Sequence, residues 1–314
     1  MRYYFAPLEG LTDSIYRHLH HKYFPGIDRY YTPFFSPTVH RCFTPREQRE
    51  LLPADSLDFA VVPQVLTRNA EDFLWMAQQC ADYGYKELNL NLGCPSGTVT
   101  AKGKGAGALR DPEALTAFLD KVFEATPIAI SVKTRIGFSS ADEFPGLLEI
   151  FNRYPICELT IHPRTRADFY KGDVCEEAFR YAVENSKNPL CYNGNLYSAE
   201  QAAAIGNTYP TVAAVMLGRG LIADPGMLTP SGTTLSALEA FHDELLDAYA
   251  QAFGSSRNAM FRMKENWHYM ICRFDGGEKL FKQLRKTTDL NEYKALTKQL
   301  FHSIPLAETL TPNW

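Results

Sequence analysis

The sequence predicts a (β/α)8 barrel followed by an all-helical C-terminal domain, and three observations carry that expectation. Eight short apolar runs, rich in β-branched and aromatic residues, recur about 24 to 42 residues apart. Most of the gaps between them hold helix start and stop signals. From about residue 234 the strand pattern ends and amphipathic helix takes over. Continuous apolar strands buried on both faces fit a parallel sheet wrapped by helices. A doubly wound open sheet is the alternative, but no run is followed by a G-x-G-x-x-G turn, and "GKGAG" at 103 to 107 comes too late and lacks that spacing.

In order, the expected strands are "YYFAP" near 3, "RYYTPFF" near 31, "FAVVPQV" near 62, "ELNLNLG" near 90, "IAISVKT" near 131, "CELTIHP" near 160, "PLCYNG" near 191 and "VAAVMLG" near 215. Asn69 is placed to cap a helix over "AEDFLWMAQQCADYG", which Gly84 closes. Asp111-Pro112 opens a second over "EALTAFLDKVFEA", which Thr126-Pro127 ends. The tail holds "LSALEAFHDELLDAYAQAF", "AMFRMKENWHYMICRF", "KLFKQLRK" and "NEYKALTKQLFHSI". The expected domains are therefore 1–233, a barrel, and 234–314, helical.

At 314 residues and 45% hydrophobic side chains, the chain can bury a large core. A net charge of −4 gives no global case for a polyanionic partner, yet residues 251 to 300 carry ten Lys/Arg against five Asp/Glu, a local basic surface. Seven cysteines without a C-x-x-C pair argue against a disulfide framework or a zinc knuckle and favour a reducing compartment. Neither a signal peptide nor a membrane span is expected, so the reading is cytoplasmic, with no stable protein partner implied.

In a parallel barrel the chemistry lies at the carboxyl ends of the strands. Polar residues from seven expected strands meet there: Pro7-Leu8-Glu9, Gln64, Asn91 with Cys94, Lys133 with Arg135, His162 with Arg164, Asn193-Gly194-Asn195, and Gly218-Arg219. The glycine turns after strands seven and eight are where barrels often hold a phosphate on backbone amides, and Arg219 adds a charge. The carboxamide of Gln64 matches the imide edge of a flavin, while the ammonium of Lys133 suits the charge of a reduced one. Capping for Gln64, and an ion pair or a Schiff base for Lys133, are the competing roles.

Cys94, between Gly93 and Pro95, is expected as a general acid, since a thiol of ordinary pKa stays protonated near neutrality. The glycine-rich run from 97 to 107 is expected to let the loop move, and Lys102, Lys104 and Arg110 in or beside it suit an anionic ligand. Cys80, Cys157 and Cys191 read as buried, inert residues. Phe35, Tyr170, Trp267 and Tyr269 are core or stacking residues, with core favoured for Trp267.

Taken in order, "APLEGLTD" (6–13), "PQV" around Gln64, "LNLGCPS" (90–96) with "KGKGAGALRDPE", "SVKTRIG" (131–137), "IHPRTRADFYKG" (161–172), "NGN" (193–195) and "MLGRGLIADP" (216–225) resemble the tRNA-dihydrouridine synthases. The resemblance spans nearly the whole barrel, and the "LGCP" loop is its most specific piece. It implies FMN as cofactor, NADPH as reductant and tRNA as substrate. Pro7, Leu8, Glu9, Gln64, Lys133, His162, Asn193, Gly194, Asn195, Gly218 and Arg219 would hold FMN, the last five around its phosphate. Cys94 would be the proton donor, and Asn91, Arg135, Lys102 and Arg164 would face substrate. The helical tail would bind tRNA, in keeping with its charge. Leu8 stands where methionine is usual, Pro163 where glycine is, and Asn195 replaces an aspartate. Alternatives are an FMN barrel acting on a small molecule, such as a dihydroorotate dehydrogenase relative, an aldolase using Lys133, and a non-catalytic RNA binder.

Overall fold

A computed structural model describes residues 1–312, and the chain forms two compact units. The first comprises Met1–Glu9, Asp28–Asn195 and Ala203–Met216. All its strands are parallel: β1 (Arg2–Phe5), β2 (Arg29–Tyr31), β3 (Val61–Val62, resumed as Gln64–Val65), β4 (Glu87–Leu92), β5 (Ala129–Gly137), β6 (Leu159–Thr165), β7 (Leu190–Asn193) and β8 (Ala214–Leu217). In the sheet β8 neighbours β1, and the two halves of β3 neighbour β2 and β4, so the ring closes through β3. Pro63 explains the break: it has no N–H to give the ladder, although its carbonyl still accepts from Asn89 N at 2.9 Å. Gln64 N turns instead to Thr32 Oγ1 at 3.0 Å.

The intervening helices begin and end as their residues dictate. Asn69 accepts from Asp72 N to cap Ala70–Asp82, and Gly84, at φ +85°, follows its end. Asp111 caps Pro112–Ala125, with proline at the first helical position. At the amino ends of the strands the buried Glu158 accepts from Tyr4 OH at 3.0 Å and Tyr31 OH at 3.4 Å. Above it Tyr4, Ala6, Tyr31, Val62, Cys191, Ala214 and Met216 pack as one apolar cluster.

Cys80 and Cys191 are buried as expected, but Cys157 is exposed. The strand begins only at Leu159, so Cys157 lies outside the alternation that would have turned it inward. Between β5 and β6 the register slips by one residue, Arg135 facing His162 but Gly137 facing Thr165. Pro163 lies within the slip and, lacking an N–H, cannot complete a regular ladder there.

The second unit comprises Gly10–Ile27, Leu196–Ala202 and the residues from Leu217 onward. Its helices are Ser14–Tyr23, Leu235–Phe253, Ser256–Met270, Glu278–Lys286 and Leu290–Ser303, with a short turn of helix at Arg219–Ala223. Trp267 is fully buried in this core. Its Nε1–H donates to Tyr293 OH at 3.0 Å, and that hydroxyl is 2.8 Å from His242 Nε2. His242 Nδ1 is 2.8 Å from Asp243, so the tyrosine donates to Nε2 while the ring gives its own proton to the carboxylate. Among the described residues no helix is long and apolar enough to cross a membrane.

Candidate active site

Inward-facing polar residues of β3, β4 and β5 form one hydrogen-bonded chain at the carboxyl ends of the first unit's strands. Ser131 Oγ accepts from Asn89 Nδ2 at 2.8 Å, and Asn89 Oδ1 accepts from Gln64 Nε2 at 2.8 Å. Gln64 Oε1 then accepts from Asn91 Nδ2 at 2.7 Å. Asn91 Oδ1 takes the backbone N–H groups of Gly93 at 3.0 Å and Cys94 at 2.9 Å. Two backbone donors on one oxygen fix the orientation of Asn91, and each amide along the chain inherits its own from the next. Gln64 is fully buried and commits one donor and one lone pair to this chain, leaving one of each.

Cys94 is thus held by its backbone while its side chain stays half-buried. Burial pushes the thiol's pKa up, against lowering by a hydrogen bond from the Ser96 backbone and by the charges of Arg135 and Lys133. The group remains protonated at neutral pH, as a proton donor requires. Its carbonyl accepts from Ala106 N at 3.1 Å. Two glycines of this loop also let it pack closely. A Cβ on Gly105 would lie 2.8 Å from Cys94 O, and one on Gly107 would lie 2.6 Å from Thr100 O. Residues 97–100 and 105–110 are short helical turns, and Gly105 to Gly107 are buried.

Lys133 is half-buried inside the ring of strands, and no hydrogen-bond or ion-pair partner is found for its ammonium among the described residues. Burial lowers its pKa to about 8, and Arg135 pushes the same way. A desolvated cation without a counter-charge costs several kcal/mol in round terms, which a ligand bringing negative charge relieves. The residues therefore fit an anionic group at this point.

Arg135 is buried and ties two strand ends together, donating from Nε to Gly93 O at 2.8 Å and from Nη1 to Thr165 O at 2.7 Å. Its guanidinium also lies over the exposed ring of Tyr170, 5.2 Å from the centroid. Arg164, also buried, donates to His162 Nε2 at 3.0 Å and to the carbonyls of Lys171 and Gly172. A guanidinium has no acceptor, so that ring nitrogen carries no proton and the histidine is protonated on Nδ1. His162 Nε2 is thereby poorly placed to act as an acid.

Pro7 and Leu8 are half-buried, and the exposed Glu9 pairs with Arg46 at 2.5 Å. Asn193 Nδ2 donates to Met216 O at 2.8 Å. A Cβ on Gly194 would lie 2.8 Å from Val174 Cγ1, and Asn195 adopts the left-handed region at φ +45°. Asparagine and aspartate both tolerate that region, so the departure from aspartate leaves this turn intact. Lys102 is exposed, whereas Lys104 is half-buried and donates to Ser36 Oγ at 3.1 Å. Phe35 is core and Tyr269 half-buried. Gly218 and Arg219 fall in the second unit, where Arg219 Nη2 donates to Tyr197 OH at 3.4 Å. Asn89 and Ser131 were not anticipated, although the "NLNL" alternation puts Asn89 on the same face as Asn91.

A family model described as "Dihydrouridine synthase (Dus)" matches residues 4–310. The chain belongs to the dihydrouridine synthase family. Relatives that bear its mark include "Probable tRNA-dihydrouridine synthase 2" of Bacillus subtilis, 26% identical over 93% of this chain and 91% of that one. Another is "tRNA-dihydrouridine synthase B" of Pasteurella multocida, 26% identical over 71% of this chain and 67% of that one. Among solved structures, "Morphinone reductase" matches with a TM-score of 0.50 and 14% identity, covering 72% of this chain and 84% of that one. At that identity the likeness speaks for the barrel fold alone.

Proposed function

We propose that the chain is a tRNA-dihydrouridine synthase that reduces the C5=C6 bond of specific uridines in tRNA, with FMN as cofactor and NADPH as electron donor. Uridine, NADPH and one proton give dihydrouridine and NADP+. The hydride to C6 of the base is the chemistry that FMN would supply when bound and reduced. Cys94 supplies the proton to C5, and its thiol draws a replacement from solvent.

The observation that carries this reading is the pairing of a protonated, backbone-clamped thiol at Cys94 with the uncompensated ammonium of Lys133. Lys133 would hold the negative charge of the reduced isoalloxazine, with the spare donor and acceptor of Gln64 at its polar edge. Pro7, Leu8, Glu9 and His162 would line the ring. Asn193, Gly194 and Asn195 are proposed for the phosphate, and so, on the sequence resemblance, are Gly218 and Arg219. Asn91 and Arg135 hold the Cys94 loop for the base, Arg164 orders the segment before Gly172, and Lys102 faces the RNA backbone.

Residues 234–314 are proposed to bind tRNA; the last two lie outside the described residues. Supporting this, Lys279, Lys282, Arg285 and Lys286 are exposed on the helix Glu278–Lys286 while Leu284 is buried. We place the protein in the cytoplasm. The purified protein should carry a flavin absorbance that NADPH bleaches, and should form dihydrouridine in unmodified tRNA. A colourless protein that binds no added FMN would refute the reading.

A further inference from the structure

Four residues of the first unit alternate guanidinium and ring. The Arg110 guanidinium lies 4.6 Å from the Phe138 ring centroid and that of Arg166 lies 5.4 Å from it. Arg166 also lies 4.8 Å from the Phe169 ring. Among the described residues neither arginine is in an ion pair. Arg110 donates to Thr100 O at 2.8 Å, and Arg166 Nε is buried with no hydrogen-bond partner. Acids on the neighbouring turns are held by other donors, although each keeps its charge. Asp168 accepts from Thr165 N and Oγ1, and Asp142 from Ser140 Oγ. Glu143 accepts from the N–H groups of Phe138, Ser139 and Ser140.

Phe169 is 40% exposed and sits at φ +51°, a conformation that costs a bulky residue about 1–2 kcal/mol. In the free protein the ring meets Arg166 on one side and Phe169 N bonds Arg166 O at 3.2 Å, yet much of the ring stays in water, where a ligand can cover it. The next residue, Tyr170, is 52% exposed and stacks under Arg135, which bonds the carbonyl beside Cys94. At the other end, Arg166 Nη2 is 4.0 Å from where a Cβ on Gly97 would stand, three residues beyond Cys94. Arg166 thus borders the segment after Cys94, while Tyr170, beside Phe169, is linked to the residue before it through Arg135.

Guanidiniums outside any ion pair, interleaved with the half-buried ring of Phe138 and the exposed ring of Phe169, are the complement of a chain that alternates phosphates with flat bases. We propose that Arg110, Phe138, Arg166 and Phe169 form a stacking platform for a single-stranded RNA segment flanking the nucleotide to be reduced. This rests on the function proposed above and names where the RNA beside the target would lie. Phe169 takes a base on its open face, and the two arginines take the adjoining phosphates.

The test is fluorescence anisotropy with labelled, unmodified tRNA transcripts across a salt series, using the full-length protein and its flavin content as a control. Phe169→Ala should weaken binding about tenfold without altering the salt slope, and Phe169→Tyr should bind as wild type. Phe169→Gly should lose the same affinity while keeping or raising thermal stability, because glycine accepts this backbone without strain. Arg110→Gln with Arg166→Gln should lower the slope of log affinity against log salt by about 1.4, at roughly 0.7 per phosphate contact. Wild-type affinity in Phe169→Gly, or an unchanged slope in the arginine pair, would overturn the platform. Ladder-dependent binding by a protein that reduces no uridine would instead count against the proposed function and leave the platform standing.

Discussion

The side-chain oxygen of Asn91 accepts the backbone N–H of Cys94 at 2.9 Å, so the residue that orients the thiol stands three positions earlier on the strand feeding the loop. The same oxygen takes Gly93 N, and Asn91 Nδ2 reaches back to Gln64. The position of Cys94 is therefore a property of β3 and β4, not of the loop alone.

Asn91→Ala should leave two loop N–H groups and Gln64 Oε1 without partners, at about 1–3 kcal/mol in stability. Turnover should fall by at least about tenfold at temperatures where the variant is folded, with flavin content retained. Urea denaturation and single-turnover assays read the two effects separately, and equal turnover in variant and wild type would remove Asn91 from the account.

Lys133 makes stability depend on pH in a stated direction. The folded protein releases this proton near pH 8 and the unfolded chain near 10.5, so between those values the unfolded chain binds more protons and the wild type gains stability as pH rises. Lys133→Met should lack that rise and should exceed the wild type at pH 7 by on the order of 1–3 kcal/mol, while binding FMN more weakly. Denaturation profiles on either side of pH 8 check the sign; parallel profiles for the two proteins would contradict it.

Gly107→Ala should cost about 1–3 kcal/mol, since its Cβ would fall 2.6 Å from Thr100 O. Gly105→Ala should in addition depress turnover in the folded enzyme, because the new methyl meets Cys94 O at 2.8 Å and the backbone there is left-handed. Thermal melts paired with activity below the transition separate the two.

Neutralising Lys282, Arg285 and Lys286 together by glutamine should weaken tRNA binding in a salt-dependent way and raise KM while sparing kcat. NADPH-driven bleaching of the flavin, which needs no RNA, should be unaltered. A loss confined to kcat would count against these residues as an RNA contact.

Much of the fold was readable because local chemistry agrees with it. All eight apolar runs became strands, and Asn69, Gly84, Asp111 and Thr126 mark helix ends as their side chains and backbone freedom require. Cys94 stood out through its unusual neighbours. The link from Asn89 to Ser131 was hidden because it depends on the register between two strands, which alternation alone does not supply. Cys157 was misjudged because an apolar run does not announce where its strand begins. The packing role of Gly105 and Gly107 was not legible, because only coordinates bring Cys94 O and Thr100 O against them. The arginine and phenylalanine ladder joins residues from three separated segments, and no window of sequence contains it.

The most direct measurement is dihydrouridine formed in unmodified tRNA by FMN-loaded protein and NADPH, with Cys94→Ala run beside the wild type. The account predicts product from the wild type and almost none from the variant, although both hold the same flavin and both are reduced by NADPH. Equal product from the two proteins, or none from a wild type carrying flavin, would contradict it.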